Sequence, residues 1–150
     1  GRIEFLEDVV CKDDRIMDIG CGSAVLLILG CKYGASDSVG IDIDQFAVQG
    51  AKSNVSLNNL DSKISIFESS VEDFKIKDSF EICVVNVSAE VVADNLNSVE
   101  NLLNQDGYFI ASGFMENKLN FIREKIKSSR FKIVKEKDLE GWITLLLRKE

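Results

Sequence analysis

The residue types best suited to chemistry lie in Arg15-Ile-Met-Asp-Ile-Gly-Cys-Gly-Ser-Ala24. Here an apolar strand pattern that carries Asp18 leads into a turn containing Gly20 and Gly22, and a helix-compatible run, 25–29, follows. Glycine at these two positions allows a tight turn and lets the backbone approach a ligand without a Cβ in the way. The segment therefore predicts a strand–loop–helix unit that holds a nucleotide-like ligand, the alternative being a tight turn with no ligand.

Two acidic side chains indicate which ligand this loop binds. Asp18 precedes the first glycine, where a carboxylate suits a cationic amino group better than a pyrophosphate. Asp42 ends the next β-rich run, about 20 residues after Gly20, the separation at which a carboxylate accepts hydrogen bonds from ribose hydroxyls. S-adenosylmethionine (SAM) carries both an amino group and a ribose. The alternative role for Asp42 is to cap the following helix, a role that Asp44 fits better.

The composition excludes several other kinds of site. The 150 residues include no histidine, so Ser-His-Asp and Cys-His nucleophile systems are ruled out. The four cysteines form no Cys-x-x-Cys pair, so we expect no metal site. Cys11, Cys31 and Cys83 lie in apolar surroundings and are predicted to be reduced core thiols, whereas Cys21 either contacts the ligand or packs.

Charge and hydropathy indicate which classes of partner the chain is not expected to bind. The net charge of −7 makes broad attraction to nucleic acid unexpected. No apolar run approaches the roughly 20 residues of a membrane span, and no signal segment opens the chain. We therefore expect a cytoplasmic protein with no membrane or nucleic-acid partner.

Helix-period and strand-period patterns alternate along the chain. Helices are predicted at 3–10, 23–33, 45–58, 89–103 and 116–128, and strands at 15–19, 38–42, 64–67, 81–85, 108–111, 131–137 and 142–147. Repeated βα units predict an α/β fold with a mainly parallel sheet and helices on both faces. The last two strands are too close together for a helical crossover, so they should form an antiparallel hairpin.

Several segments together resemble the class I, seven-stranded, SAM-dependent methyltransferases, which have a Rossmann-like fold. More narrowly, the chain resembles the PrmA family, bacterial enzymes that methylate amines of a ribosomal protein. The stretches that carry this resemblance are Met17-Asp-Ile-Gly-Cys-Gly-Ser, Gly40-Ile-Asp-Ile-Asp-Gln-Phe-Ala-Val, Val84-Val-Asn-Val, Ala111-Ser-Gly-Phe and Glu140-Gly-Trp-Ile-Thr-Leu-Leu-Leu-Arg.

The resemblance implies roles for further residues. Asn86, after the central strand, stands where the class orients the methyl acceptor, so it is the candidate catalytic residue; its alternative is a turn residue. Ile43 is expected against the adenine face, or else in the core at the strand end. Adenine recognition is expected from the backbone near Val71, with Ser70 or Glu72 as the side-chain candidates. Trp142 either borders the acceptor pocket or packs between hairpin and helix. The expected SAM site contains Asp18, Gly20, Cys21, Gly22, Asp42, Ile43, Ser70, Val71 and Asn86.

The sequence also departs from the family pattern. Ala24 replaces the third loop glycine, Ser70 stands where the class often has Asp, and the segment after the central strand is Asn86-Val-Ser88. The family's Phe-Gly-Thr-Gly segment and N-terminal substrate domain are not found, so we expect residues 1–150 to form one catalytic domain.

The resemblance implies methyl transfer from SAM, with S-adenosylhomocysteine (SAH) as product, to a ribosomal-protein amine or a small molecule. One alternative is a non-catalytic binding module with the methyltransferase fold. The other alternative is a nicotinamide-dependent oxidoreductase. This hypothesis accounts for neither Asp18 nor the terminal hairpin, and Val25 stands where the dinucleotide-binding motif needs a third Gly or Ala.

Overall fold

A computed structural model describes residues 1–76 and 79–150. The five α-helices of this part are α1 (Arg2–Val9), α2 (Val25–Lys32), α3 (Gln45–Leu57), α4 (Ala89–Leu102) and α5 (Leu119–Lys127). Its seven strands are β1 (Ile16–Ile19), β2 (Ser38–Asp42), β3 (Ile64–Glu68), β4 (Phe80–Asn86), β5 (Leu103–Met115), β6 (Phe131–Leu139) and β7 (Trp142–Lys149). Each predicted helix and strand is present in the predicted order, so the α/β assignment is confirmed.

The seven strands form one sheet in the order β3-β2-β1-β4-β5-β7-β6. Strands β1 to β5 pair in parallel, and β7 lies antiparallel between β5 and β6, which confirms the C-terminal hairpin. After β1 the chain adds β2 and β3 on one side, then returns to place β4 on the other side of β1. The carboxyl ends of β1 and β4 thus flank the point where strand order reverses, where open α/β sheets bind their ligands.

A hydrophobic core lies on each face of the sheet, because side chains alternate along the strands. In β4, Cys83 and Val85 belong to the core under α4 and α5, while Ile82 and Val84 belong to the core under α1, α2 and α3. All four are at most 5% exposed. Both faces of this central strand are therefore covered by helices, as predicted.

Strand β5 is longer than the pattern predicts. Residues 104–107, expected to form a loop, belong to the strand, because Leu103 pairs with Phe80 before the register shifts to Ile82 opposite Tyr108. Leu103 is completely buried, so its burial in the core fixes this early start. The predicted helix 116–128 also begins later, since Glu116–Lys118 form a 3₁₀ turn before α5.

The prediction that Cys11 is a core thiol is wrong. Cys11 is exposed, because it lies in the turn after α1, where its backbone N–H donates to Asp14 Oδ2 (2.8 Å).

Within the described residues, no helix combines the length and the apolar character needed to cross a bilayer.

Candidate SAM-binding site

The glycine loop between β1 and α2 is a tight turn held against β2. Gly20 and Gly22 have φ angles of +72° and +53°, in the left-handed region that favours glycine. The carbonyl of Ile41 accepts hydrogen bonds from the N–H groups of Gly20 (2.8 Å) and Cys21 (3.0 Å). Ala24, at the family's third glycine position, also has a left-handed φ of +67°. The loop conformation is therefore one that glycine is suited to at all three positions.

The outer side of this loop faces open space. A Cβ placed on Gly20 or Gly22 would meet no protein atom within 4 Å. By contrast, a Cβ on Gly40 of β2 would come within 2.8 Å of Leu27, so that glycine is required for packing of α2 on the sheet. The two loop glycines therefore leave room for a ligand rather than for a neighbouring part of the protein.

Asp18 is a buried carboxylate that lines a cavity beside this loop. It is 3% exposed, and no hydrogen bond or ion pair to its side chain is found among the described residues. The pKa of Asp18 is raised to about 7 because burial outweighs the opposing effect of the Arg2 charge, and the charge of Asp42 adds a smaller increase. An unpaired buried carboxylate is costly to ionise, so the site favours a ligand that brings a positive charge.

Asp42 connects the loop to the end of β2. Its Oδ2 accepts from Gly22 N (3.1 Å), and its Oδ1 accepts from Asp44 N (3.0 Å). Asp44 in turn caps α3 by accepting from Phe46 N (2.9 Å), which confirms the predicted assignment of the cap to Asp44 rather than to Asp42. Each Asp42 oxygen has a further lone pair, so the carboxylate can still accept from hydroxyl groups.

Cys21 is buried in the loop. Burial first, and then the charges of Asp18 and Asp42, raise the pKa of its thiol to about 12. The thiol is therefore protonated at neutral pH and is unsuited to act as a nucleophile or base. No set of three or more metal-ligating side chains that could hold an ion occurs in the described ranges.

Asn86, the last residue of β4, lies at the cavity with its side chain exposed. It pairs with Ser112 of β5, whose Oγ donates to Asn86 Oδ1 (3.1 Å). Gly113, which follows Ser112, has a φ of +106°, and a Cβ on it would lie 2.9 Å from Asn86 Oδ1. The end of β5 therefore fixes the orientation of the Asn86 amide.

Five of the predicted site residues line one cavity of about 290 Å³. The residues that line it are Arg2, Ile3, Asp18, Gly20, Cys21, Gly22, Ser23, Val25, Leu26 and Asn86. The cavity lies at the carboxyl ends of β1 and β4, where the sheet topology predicts a ligand. Asp42 contacts its glycine loop through Gly22.

Three other predicted residues do not line this cavity. Ile43 follows β2 and is 77% exposed, so the alternative that it packs in the core is wrong. Ser70 accepts from Asp73 N (3.2 Å) in the turn after β3. Val71 is buried and lines a larger cavity of about 400 Å³ that contains none of the loop residues.

Trp142 lies at the start of β7 and is 56% exposed. Its strand neighbours Met115 and Leu139 are also exposed. The alternative that this ring is packed between hairpin and helix is therefore wrong.

Arg2 and Ser112 are two polar residues at the site that sequence reasoning missed. Arg2 begins α1, and Ser112 lies near the end of β5, both far along the chain from Asp18 and Asn86. Strand pairing brings Ser112 next to Asn86, and the packing of α1 brings Arg2 to the cavity. The Ala-Ser-Gly-Phe stretch at 111–114 is the one sequence signal that pointed to Ser112.

Comparison with curated proteins gives consistent matches over almost the whole chain. A ribosomal protein L11 methyltransferase of Exiguobacterium sibiricum is 32% identical over 148 residues, which are 99% of this chain and 47% of that protein. One of a Thermoanaerobacter species is 34% identical over 148 residues, with the same coverage of each chain. This chain therefore spans about half the length of the curated relatives it matches.

Solved structures have the same fold. The ribosomal protein L11 methylase of Lactobacillus delbrueckii subsp. bulgaricus superposes with a TM-score of 0.88 at 28% identity, covering 97% of this chain and 75% of that one. A putative S-adenosylmethionine-dependent methyltransferase of Listeria monocytogenes has a TM-score of 0.81 at 13% identity, covering 98% and 97%, and shows the fold alone. The Rossmann-like methyltransferase fold is thus confirmed.

The family assignment rests on a match that extends over residues 1–150. The sequence model described as "Ribosomal protein L11 methyltransferase (PrmA)" matches residues 1–150. The resemblance drawn from the glycine loop, the Asp42 segment and the terminal hairpin is thereby confirmed, and the chain belongs to the ribosomal protein L11 methyltransferase (PrmA) family.

Proposed function

We propose that this chain binds SAM in the cavity at Asp18 and transfers its methyl group to an amine of a ribosomal protein. Membership of the PrmA family and the names of the relatives support this acceptor over a small molecule. Because ribosomes work in the cytoplasm, the same proposal assigns the protein to that compartment.

The observation that carries the proposal is the buried, unpaired Asp18 beside the glycine loop. A carboxylate that is 3% exposed needs a compensating positive charge or donor. The α-ammonium of SAM supplies both, while a pyrophosphate would place negative charge next to Asp18. The site therefore favours SAM over a dinucleotide.

The remaining contacts follow from the positions of the other residues. Asp42 accepts from the ribose hydroxyls with the lone pairs that its bonds to Gly22 and Asp44 leave over. The backbone of the loop approaches the ligand at Gly20 and Gly22. Adenine then lies towards Ile43, whose exposed side chain covers one face of the ring, and towards Ser70 and Val71. These nucleoside contacts are part of the proposal.

SAM, when bound, supplies an electrophilic methyl group on a sulfonium. The lone pair of the acceptor nitrogen forms the new N–C bond, the C–S bond breaks with its electron pair going to sulfur, and SAH is released. The task of the protein in this in-line displacement is to hold nitrogen and methyl carbon in near-attack geometry. Asn86 performs it through the remaining lone pair of Oδ1, which accepts from an N–H of the acceptor while Ser112 holds the amide.

The acceptor must be a neutral amine when it reacts, since an ammonium has no lone pair. The chain has no histidine, the Cys21 thiol has a pKa of about 12, and Asp18 is committed to the SAM ammonium. None of these groups is available as a general base, so the amine loses its proton to solvent before transfer. The rate should therefore rise with pH towards the acceptor's own pKa, about 10.4 for a free lysine.

Calorimetric titration of the chain with SAM and with SAH tests the first half of the proposal. Asp42→Ala should abolish micromolar binding, whereas Asp94→Asn, which removes an exposed charge on α4, should leave it unchanged. If the intact chain bound neither ligand, SAM use by this chain would be refuted.

Methyl transfer tests the second half. The chain is incubated with SAM and unmethylated ribosomal protein L11, and mass spectrometry measures methyl additions to lysine side chains and the N-terminal amine. Asn86→Ala should bind SAM but transfer slowly. If the intact chain bound SAM yet modified neither this protein nor other ribosomal proteins, the non-catalytic binding module would replace the enzyme as the best explanation.

A further inference from the structure

Arg2 is a cationic side chain held at the cavity by the packing of α1. It is half-buried, and it is the single basic residue among those that line the cavity in the described part of the chain. Phe5 and Leu6, at most 5% exposed, anchor α1 in the core under the sheet. An ion pair between Glu4 and Lys137 of β6 fixes the same helix from its outer side. The guanidinium is therefore positioned by the fold rather than by a local turn.

Arg2 has no partner among the described residues that satisfies its donors. Its guanidinium forms no hydrogen bond, and no acidic oxygen lies within the 4.0 Å of an ion pair. Its charge nevertheless acts on Asp18 across the cavity, where it opposes the effect of burial. The cavity thus presents one unpaired carboxylate and one unpaired guanidinium that do not neutralise each other by direct contact.

This combination matches an α-amino acid. At neutral pH the methionine part of SAM carries an ammonium and a carboxylate on the same carbon atom. A carboxylate group of the protein recognises the first, and the planar fork of a guanidinium recognises the second through two parallel N–H···O bonds. Neither the ribose nor the adenine provides a group that would use this pair.

We propose that Arg2 binds the α-carboxylate of SAM while Asp18 binds its α-ammonium. This inference rests on the proposed SAM site and adds to it the residue that recognises the carboxylate. It makes the cavity selective for the intact amino acid, so that a ligand without the carboxylate loses the Arg2 contact and retains the others.

The test compares SAM with decarboxylated SAM, which lacks only that carboxylate. Calorimetry is used to measure the affinity of both ligands for the intact chain, for Arg2→Met, for Arg2→Lys and for the control Arg123→Met. Arg123 is on α5, away from the cavity, and pairs with Glu136. The ratio of the two affinities is taken within each protein, so a general loss of stability in a variant cancels.

The intact chain and Arg123→Met should prefer SAM by about 10- to 100-fold, the range expected for a hydrogen-bonded contact to a charged group. Arg2→Met should abolish this preference by weakening SAM binding while leaving decarboxylated SAM within about twofold. Arg2→Lys should retain part of the preference, because it keeps the charge but not the fork.

Other outcomes distinguish the two proposals. An unchanged preference in Arg2→Met, or an equal loss of both ligands, would overturn the role of Arg2 and leave the SAM site intact. Failure of the intact chain to bind either ligand would overturn the SAM site and, with it, this inference.

Discussion

Asp18→Asn should stabilise the ligand-free protein at neutral and alkaline pH while destroying SAM binding. In the unfolded chain the carboxyl group titrates near its ordinary pKa of 3.8, whereas in the fold its pKa is about 7. Asp18 is only 3% exposed, so solvent does little to reduce the free-energy cost of ionising it in the folded protein. Asparagine keeps the shape of the side chain and cannot ionise.

The sign of the effect follows from proton linkage. Below the unfolded pKa both states are protonated, and Asp18 contributes no pH-dependent penalty. Between 3.8 and about 7 the unfolded state releases its proton while the folded state keeps it, so stability falls as pH rises, and above about 7 the penalty is constant. Each unit of pKa difference between the two states corresponds to roughly 1.36 kcal/mol of stability. The loss of stability caused by Asp18 therefore reaches about 4 kcal/mol at about pH 8 and is about 1 kcal/mol at about pH 4.5.

The measurable quantity is the difference in melting temperature between Asp18→Asn and the intact chain at these two pH values. The amide has its own hydrogen-bonding cost, but that cost does not depend on pH and cancels in the comparison. The gain from the substitution should grow by about 3 kcal/mol between the two conditions, which corresponds to roughly 6–12 °C for a protein of this size. Calorimetric scans without ligand provide the measurement.

The matched control is Asp94→Asn, because Asp94 is exposed on α4 and does not line the cavity. The difference in melting temperature between Asp94→Asn and the intact chain should be the same at both pH values. If the Asp18→Asn difference were also independent of pH, burial would not raise the pKa of Asp18, and the argument that the site needs a cationic ligand would fail.

Four further outcomes are expected. SAM affinity should rise up to tenfold per pH unit below about pH 7, because binding displaces a proton from Asp18; a flat calorimetric profile contradicts this. Asp42→Ala, which leaves Gly22 N unpaired, should lower the free energy of unfolding in urea by about 1–3 kcal/mol, and unchanged stability would count against those bonds. Gly22→Ala should cost about 1–2 kcal/mol in the same assay, since alanine is strained at φ +53°, unlike a control at Gly50, where φ is not positive. Asn86→Ala should lower kcat about tenfold or more with little change in KM for SAM, and Ser112→Ala should do so less; equal changes in kcat and KM would refute an orienting role.

The parts of the fold that depend on local pattern were predictable from the sequence. Alternation of helix and strand periods located every α-helix and strand of the described residues, and the short spacing between β6 and β7 excluded a helical crossover. Asp18 and the loop glycines were also predictable, because one tight turn after a strand places them together. Each of these inferences concerns residues that are close in sequence.

Features that depend on contacts between distant segments were not predictable in this way. The early start of β5 depends on burial of Leu103 opposite Phe80, and nothing in the local pattern marks it. The Ser112–Asn86 hydrogen bond depends on the β4–β5 register, and the position of Arg2 depends on how α1 packs. Cys11 was misassigned because its apolar neighbours precede a turn that leaves the thiol in solvent.

The two unpaired charges of the cavity connect stability with ligand binding. An apolar pair in place of Asp18 and Arg2 would make the empty protein more stable, since neither charge has a protein partner that compensates its desolvation. SAM would supply an oppositely charged partner for each of the two groups. The free energy of these two interactions would then contribute to the affinity for the amino-acid part of the ligand. Binding then stabilises the fold in proportion to RT ln(1 + [SAM]/Kd), and the stabilisation should be larger at pH values where Asp18 is ionised in the empty protein. A site with this arrangement would select its ligand through two opposite charges, and the proposal gives a functional reason for a carboxylate at position 18, where burial makes ionisation costly.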